Sequence, residues 1–388
     1  MAGADEKVVI RAGDCQVTLL PGLGGKIASL KVNLRDNLGD DLRDNLGDNL
    51  MGNSGDDLRD NLGDNLMGNS GDDQMDDQGV EDCELLQAPL RPYGERTRTM
   101  GFEESDASGW DECLPTVAGC RVETAGGGVD VPDHGDLWRV PWRVAERTED
   151  SATLMAECFS LPLGLTRTML LGETATGWRL FILYSLTNSG NRSVPWSWAA
   201  HPLFVCEEGD RIRLPETVKR VSVENSKGQR LGVSGAWIEW PVAKLSNPER
   251  RGASPEGSHA TSYDLSYAMA GGSGAAEKLF TERLEEDSGW CALERVRLGL
   301  RLTVRFDARI TPYLGLWLCD GGWPATGERR QTCVALEPTT APTDSLAVDG
   351  PWSRMVDPGV TVHWPMELCI DRMDQGDSYS FPRGLKPD

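Results

Sequence analysis

Leu298-Gly-Leu-Arg-Leu-Thr-Val-Arg-Phe306 carries an apolar residue at almost every second position. That is the period of a strand with one face in a core and the other in water. Trp138-Arg-Val-Pro-Trp-Arg-Val144 and Gln16-Val-Thr-Leu-Leu20 repeat the pattern and predict two more half-buried strands. Trp178-Arg-Leu-Phe-Ile-Leu-Tyr-Ser-Leu186 is more continuously apolar, which predicts a strand buried on both faces, ended by a turn at Thr187-Asn-Ser-Gly-Asn191. A glycine turn is expected at Pro21-Gly-Leu-Gly-Gly25, between strands over residues 16–20 and 26–32. Helical spacing is confined to residues 277–286. Short strands punctuated by 44 glycines and 22 prolines predict an all-β fold, a β-sandwich of large size.

Between residues 33 and 82 this pattern stops. The sixteen residues 41–56 recur unchanged as 57–72, with a Gly-Asp-x-Leu unit at a period of eight. The tract holds fourteen aspartates and one glutamate against three arginines, over half of the net charge of -22. Such repeats resemble calcium-binding β-rolls, but the period is one residue short and the rungs are too few to bury a core. Almost no aromatic or β-branched residue is present, so a solvated, disordered acidic insertion is expected.

The charge argues against a nucleic-acid partner, which needs clustered Lys and Arg, and against an anionic membrane surface. No run approaches a spanning helix and the first residues lack a basic, then apolar leader, so a soluble cytoplasmic protein is expected. The ten cysteines form no C-x-x-C, which removes the usual zinc spacing; they read as reduced, buried small hydrophobes.

Candidate chemistry is concentrated at a few positions. Pro21-Gly-Leu-Gly-Gly-Lys-Ile27 superficially suggests a phosphate loop, but the hydroxyl residue after the lysine is missing and no helix signal follows. Of four histidines, His134 precedes an amphipathic run, beside Gly135 and a Trp138 suited to stacking on a sugar; it either faces a ligand or caps a turn through Asp133 or Asp136. His201, between a tryptophan pair and a Leu-Phe step, is either a core histidine or a proton donor. His259 and His363 read as structural. Glu337 ends the apolar run Cys333-Val-Ala-Leu336, where desolvation raises a carboxyl toward a useful base; otherwise it is a charge leaving the sheet. Trp317, Asp320 and Trp323 bring aromatic faces and a carboxylate into one strand-loop unit, the parts of a carbohydrate site.

Pro21-Gly-Leu-Gly-Gly-Lys-Ile-Ala-Ser-Leu30, Gly109-Trp-Asp-Glu-Cys-Leu-Pro-Thr116, Asp133-His-Gly-Asp-Leu-Trp138, Ala200-His-Pro-Leu-Phe204 and Ala335-Leu-Glu-Pro338 stand in the order and approximate spacing of the aldose 1-epimerase (galactose mutarotase-like) family. The chain resembles that family over most of its length outside the acidic tract. The resemblance implies one large antiparallel β-sandwich domain over residues 1–388 that interconverts the α and β anomers of a sugar without metal or cofactor. It gives Glu337 as general base, His201 as acid and His134 as a sugar-orienting histidine; the family's sugar-binding aspartate falls to either Asp320 or Asp264, and Asp111 and Trp317 are further candidate sugar contacts. The chain departs from the family where Asp133-His-Gly-Asp replaces Asn-His-x-His-Gly-Gly and Glu337-Pro-Thr replaces Glu-Thr-Gln. Two alternatives remain: a sugar-binding protein without catalysis, and an enzyme for a phosphorylated hexose, for which Arg91, Arg96 and Arg98 form the candidate basic cluster.

Overall fold

The computed structural model describes residues 7–34, 82–246 and 262–373. The regular elements described are strands and four short 3-10 turns. Eleven strands form the larger sheet. It runs from Val8–Ala12 through Cys15–Leu20, Lys26–Asn33, Trp110–Cys113, Ala199–Val205, Thr332–Thr339, Tyr313–Asp320, Ala275–Thr281 and Arg220–Ser226 to Trp237–Glu239, with Asp82–Glu84 also beside Lys26–Asn33. The smaller sheet has eight strands, Arg211–Arg213, Trp290–Arg295, Leu300–Phe306, Thr361–Arg372, Gly177–Asn188, Leu163–Glu173, Ser151–Glu157 and Arg143–Arg147. Neighbouring strands in both sheets are antiparallel.

One hydrophobic cluster draws on both sheets, with Val17, Leu30, Leu316 and Leu336 from the larger and Leu180, Ile182, Leu302 and Leu368 from the smaller. Each such side chain contributes roughly 1.5–3 kcal/mol on burial. Inside this apolar layer sits a charge pair: Arg167 Nη1 donates to Glu112 Oε1 at 2.9 Å, and both side chains are fully buried. Tyr184 Oη and Trp198 Nε1 donate to the same carboxylate at 2.9 and 3.0 Å, so the buried charge is solvated by protein groups.

The alternation over residues 300–306 forms the expected strand, and residues 21–25 turn between Cys15–Leu20 and Lys26–Asn33. Other readings need correction. Residues 138–144 do not form one strand: Leu137–Arg139 is a 3-10 turn and a strand begins only at Arg143. Trp138 and Trp142 are buried in different clusters, so their spacing of four reflects a turn rather than a strand face. Gly177–Asn188 buries only alternate residues, because Phe181 and Leu183 are apolar at outward positions. The expected helix at 277–286 begins as the strand Ala275–Thr281.

The acidic tract from 35 to 81 lies outside the described residues, as does His259. Its flanks are ordered: Asn33 pairs with Asp82, Val32 with Cys83 and Lys31 with Glu84. The tract therefore leaves from and returns to neighbouring strands. All ten cysteines are free thiols, and burial pushes Cys15 and Cys206 up to about 12.

Candidate active site

Strand parity places the site. In Thr332–Thr339, Val334 and Leu336 enter the core between the sheets, whereas Cys333 and Ala335 join a separate cluster with Leu203, Ala276 and Cys319. Glu337 follows the second set, on the face of the larger sheet turned away from the smaller one. His201 shares that face with Leu203. The register sets Ala199 opposite Thr339 and Leu203 opposite Ala335, which brackets His201 and Glu337 as facing positions on adjacent strands. His201 Nε2 stands 3.9 Å from Glu337 Oε1. Gly315 lies opposite Glu337 on the next strand, where a Cβ would come within 3.1 Å of Glu337 Oε2; glycine leaves the carboxylate its room.

His134 arrives from a loop. Its backbone is left-handed, with φ of 58°, a conformation a non-glycine residue keeps only when its surroundings hold it. Here its N–H donates to Val117 O, Asp133 Oδ2 lies 2.8 Å from Nδ1, and the ring stacks on Phe102 at 3.9 Å between centroids. The His134 and His201 rings meet edge to face at 5.3 Å. Gly135, at φ 68°, could not carry a side chain, since a Cβ would fall 2.2 Å from Leu114 O. His134 is thus both a turn residue partnered by Asp133 and a cavity residue.

A cavity of about 300 Å³ opens over this group, lined by Phe102, His134, His201, Trp317, Trp323 and Glu337, with Lys278, Asn225, Gln331 and Asp344 among its polar walls. Trp317 and Trp323 meet edge to face at 6.5 Å, and Trp317 Nε1 donates to Gln331 Oε1 at 3.1 Å. Lys278 ion-pairs with Glu337 Oε2 and lies 3.5 Å from Asp344 Oδ1. Burial, opposed by the Lys278 ammonium, holds Glu337 above the usual carboxylate range. Burial also pushes His201 well below the usual histidine range, helped by His134 and Lys278, so the ring is neutral at physiological pH.

Not every candidate reaches this cavity. Asp320 has the parity of Leu316 and Leu318, and its carboxylate accepts from the backbone N–H groups of Gly272 and Ser273 at 2.8 and 2.7 Å. Asp111 sits opposite His201, but Lys26 Nζ takes its carboxylate at 2.5 Å. Trp138 is fully buried behind Phe102 and presents no face to a sugar. Arg96 is fixed on Asp106 at 2.5 Å, Arg98 lies over Phe159, and Arg91 donates to Glu103 O; none of the three lines the cavity. His363 pairs with Ser185 on the outside of the smaller sheet. Lys278, Phe102 and Asp344 have no sequence signal that marks them as site residues.

Two large antiparallel sheets, with a histidine pair and a carboxylate under one aromatic-walled cavity, define a galactose mutarotase-like β-sandwich. The chain is similar to solved structures of that fold along nearly its whole length. Against an Escherichia coli K12 protein provisionally named an aldose 1-epimerase, the TM-score is 0.57 at 15% identity, covering 95% of this chain and 99% of that one. A Synechocystis protein gives 0.58 at 15% identity over 96% and 99% of the two chains. A galactose mutarotase related enzyme from Lactobacillus acidophilus gives 0.54 at 13% identity over 95% and 99%. No protein-family model matches the chain, and no curated protein matches it by sequence. Among the described residues, no helix is long and apolar enough to cross a membrane, and no group of three or more His, Cys, Asp or Glu is arranged to hold a metal ion.

Proposed function

We propose that this protein interconverts the anomers of a free, unphosphorylated aldose by acid–base ring opening in the cavity over Glu337 and His201. The observation that carries this reading is the Glu337–His201 pair, 3.9 Å apart at the cavity wall. Burial raises the proton affinity of the Glu337 carboxyl and lowers that of the His201 imidazole, which draws the affinities of the two groups together from their ordinary values. The ring oxygen and the anomeric hydroxyl are both bonded to C1, which suits an acid and a base side by side rather than on opposite faces of the sugar.

Glu337 takes the proton of the C1 hydroxyl. The C1 to ring-oxygen bond breaks as the C1 carbonyl forms, the ring oxygen takes the proton of the neutral His201 imidazole, and the proton that Glu337 has received passes to His201, 3.9 Å away, so both groups return to their starting states. Rotation about C1–C2 followed by the reverse transfers closes the other anomer. His134 holds a ring hydroxyl, and Trp317 and Trp323 cover the sugar's C–H faces.

The charge of the walls favours an unphosphorylated substrate: Glu103, Asp133, Glu337 and Asp344 stand against Lys278. The test is polarimetry of freshly dissolved α-D-glucose and α-D-galactose with wild-type protein and Glu337→Gln. Faster relaxation is expected with wild type, and the substitution lowers it by about 10²–10⁴-fold. If neither sugar relaxes faster than buffer, the enzyme reading fails for free hexoses and sugar binding without catalysis takes its place.

A further inference from the structure

We propose that Lys278 is the positioning residue of Glu337, fixing its charge and which of its oxygens faces the histidines, with Asp344 as the counterweight on the other side of the ammonium. This deepens the acid–base reading of Glu337 given above and rests on it. Lys278 lies opposite Trp317, and Trp317 opposite Ala335, so the lysine starts on the same sheet face as Glu337, two strands away. Gly315, in the strand between them, leaves the space in which ammonium and carboxylate meet. The Lys278 side chain is only 8% exposed.

The ammonium is held from both sides. It donates to Glu337 Oε2, which leaves Oε1 without a hydrogen-bond partner in the protein and closest to His201 Nε2. On the other side Asp344 stands at 3.5 Å and cannot retreat. Its backbone carbonyl accepts from the N–H groups of Val117 and Ala118 at 2.9 and 2.7 Å, and its own N–H donates to Glu224 Oε1 at 3.2 Å. One carboxylate is thereby anchored through the main chain, while the other is free to use one oxygen.

Among the described residues, six ionisable groups surround Glu337: His201 from the adjacent strand, Lys278 from the strand beyond Tyr313–Asp320, His134 and Asp344 from loops, and the Cys113 and Cys333 thiols. Burial penalises a lone carboxylate, and Lys278 is the main influence opposing that penalty, whereas Asp344 adds to it. Burial works against the ammonium as well, but Asp344 and Glu337 outweigh it and keep Lys278 charged. Without the lysine, a larger share of Glu337 would hold its own proton, and that share could accept nothing from a sugar.

The experiment follows the Glu337 carboxyl by carbon-13 NMR in protein labelled at glutamate side-chain carboxyls, with the signal assigned by its absence in Glu337→Gln. Lys278→Met is expected to raise the midpoint by about one pH unit or more, a tenfold or greater gain in proton affinity. Asp344→Asn is expected to lower it, and Lys278→Arg to leave it near the wild-type position. The acid limb of the pH–rate profile should move in the same directions. An unmoved midpoint in Lys278→Met, or shifts of one sign in both Lys278→Met and Asp344→Asn, overturns the assignment. If Lys278→Met does not fold, the downward shift in Asp344→Asn decides. The titration needs no turnover: shifts as stated in a protein inert toward sugars sink the epimerase reading alone, and an active enzyme with immobile midpoints sinks the role of Lys278 alone.

Discussion

Lys26 ends the glycine turn that superficially suggests a phosphate loop, and the structure gives it a purely internal partnership whose strength can be measured. Its ammonium is fully buried, 3.0 Å from Asp106 Oδ2 and 2.5 Å from Asp111 Oδ2, and it donates also to Ser108 O. Arg96 completes the cluster, at 2.5 Å from Asp106 Oδ1 and 3.6 Å from Asp111 Oδ1. Two cations face two anions, so Lys26→Met leaves one buried negative charge unmatched. Removing one partner of a buried pair costs about 3–5 kcal/mol, and the double variant Lys26→Met/Asp111→Asn, which restores neutrality, should recover a large part of that. The assay is urea denaturation followed by tryptophan fluorescence at constant slope. The pH dependence has a defined sign. Although burial alone would raise it, Asp106 is held well below the usual carboxylate range by Lys26 and Arg96, so its contribution is fully present above the unfolded value near pH 4 and lost only as pH falls through the folded one. In Lys26→Met the stranded carboxylates favour protonation, so the deficit against wild type should shrink as pH falls from 8 toward 4.5. A loss below about 1 kcal/mol at pH 8, or a deficit that grows on acidification, would refute the reasoning.

Gly315→Ala places a methyl 3.1 Å from Glu337 Oε2 and 3.2 Å from the Phe280 ring, so relaxation of a fresh sugar should slow by about tenfold or more while stability falls by about 1–3 kcal/mol. An unchanged rate in polarimetry would show that Glu337 has slack at this position. Because Asn33 already pairs with Asp82, replacing residues 35–81 by a short turn should leave the urea midpoint and any sugar activity close to wild type; loss of the folded state would contradict that expectation.

The parts of the fold legible in the sequence were those where one side chain in two meets the core. Residues 300–306 alternate cleanly, and the glycines at 24 and 25 turn with φ of 72° and 61°, which only residues of that kind adopt freely. Legibility failed where outward positions carry apolar side chains, as at Phe181 and Leu183, since a sequence cannot say which face is covered. It failed again at Glu277 and Lys278. Helical spacing is expected over 277–286, yet strand parity sends Glu277 to Arg230 at 2.9 Å and Lys278 to Glu337, so both are buried by partners distant in the chain. The carboxylates of Asp111 and Asp320 were attractive as sugar ligands because their partners, Lys26 and the Gly272–Ser273 backbone, are equally non-local.

The candidate site follows from the same geometry. Ala199–Val205 and Thr332–Thr339 are buried along almost their whole length on both faces, because loops roof the outside of the larger sheet. In a strand of that kind apolar residues fill both faces, and every polar side chain requires a reason. His201 and Glu337 stand out on this criterion, and so does Asp111 on the adjacent strand, which shows that it selects structural charges as readily as chemical ones. Charge balance and access separate the two classes. Lys26, Arg96, Asp106 and Asp111 close on themselves as two cations and two anions away from the cavity. Lys278 instead shares one positive charge between Glu337 and Asp344, both of which line the cavity. A negative excess at an aromatic-walled opening suits hydroxyl donors and protons in transfer, as the ring opening proposed above requires.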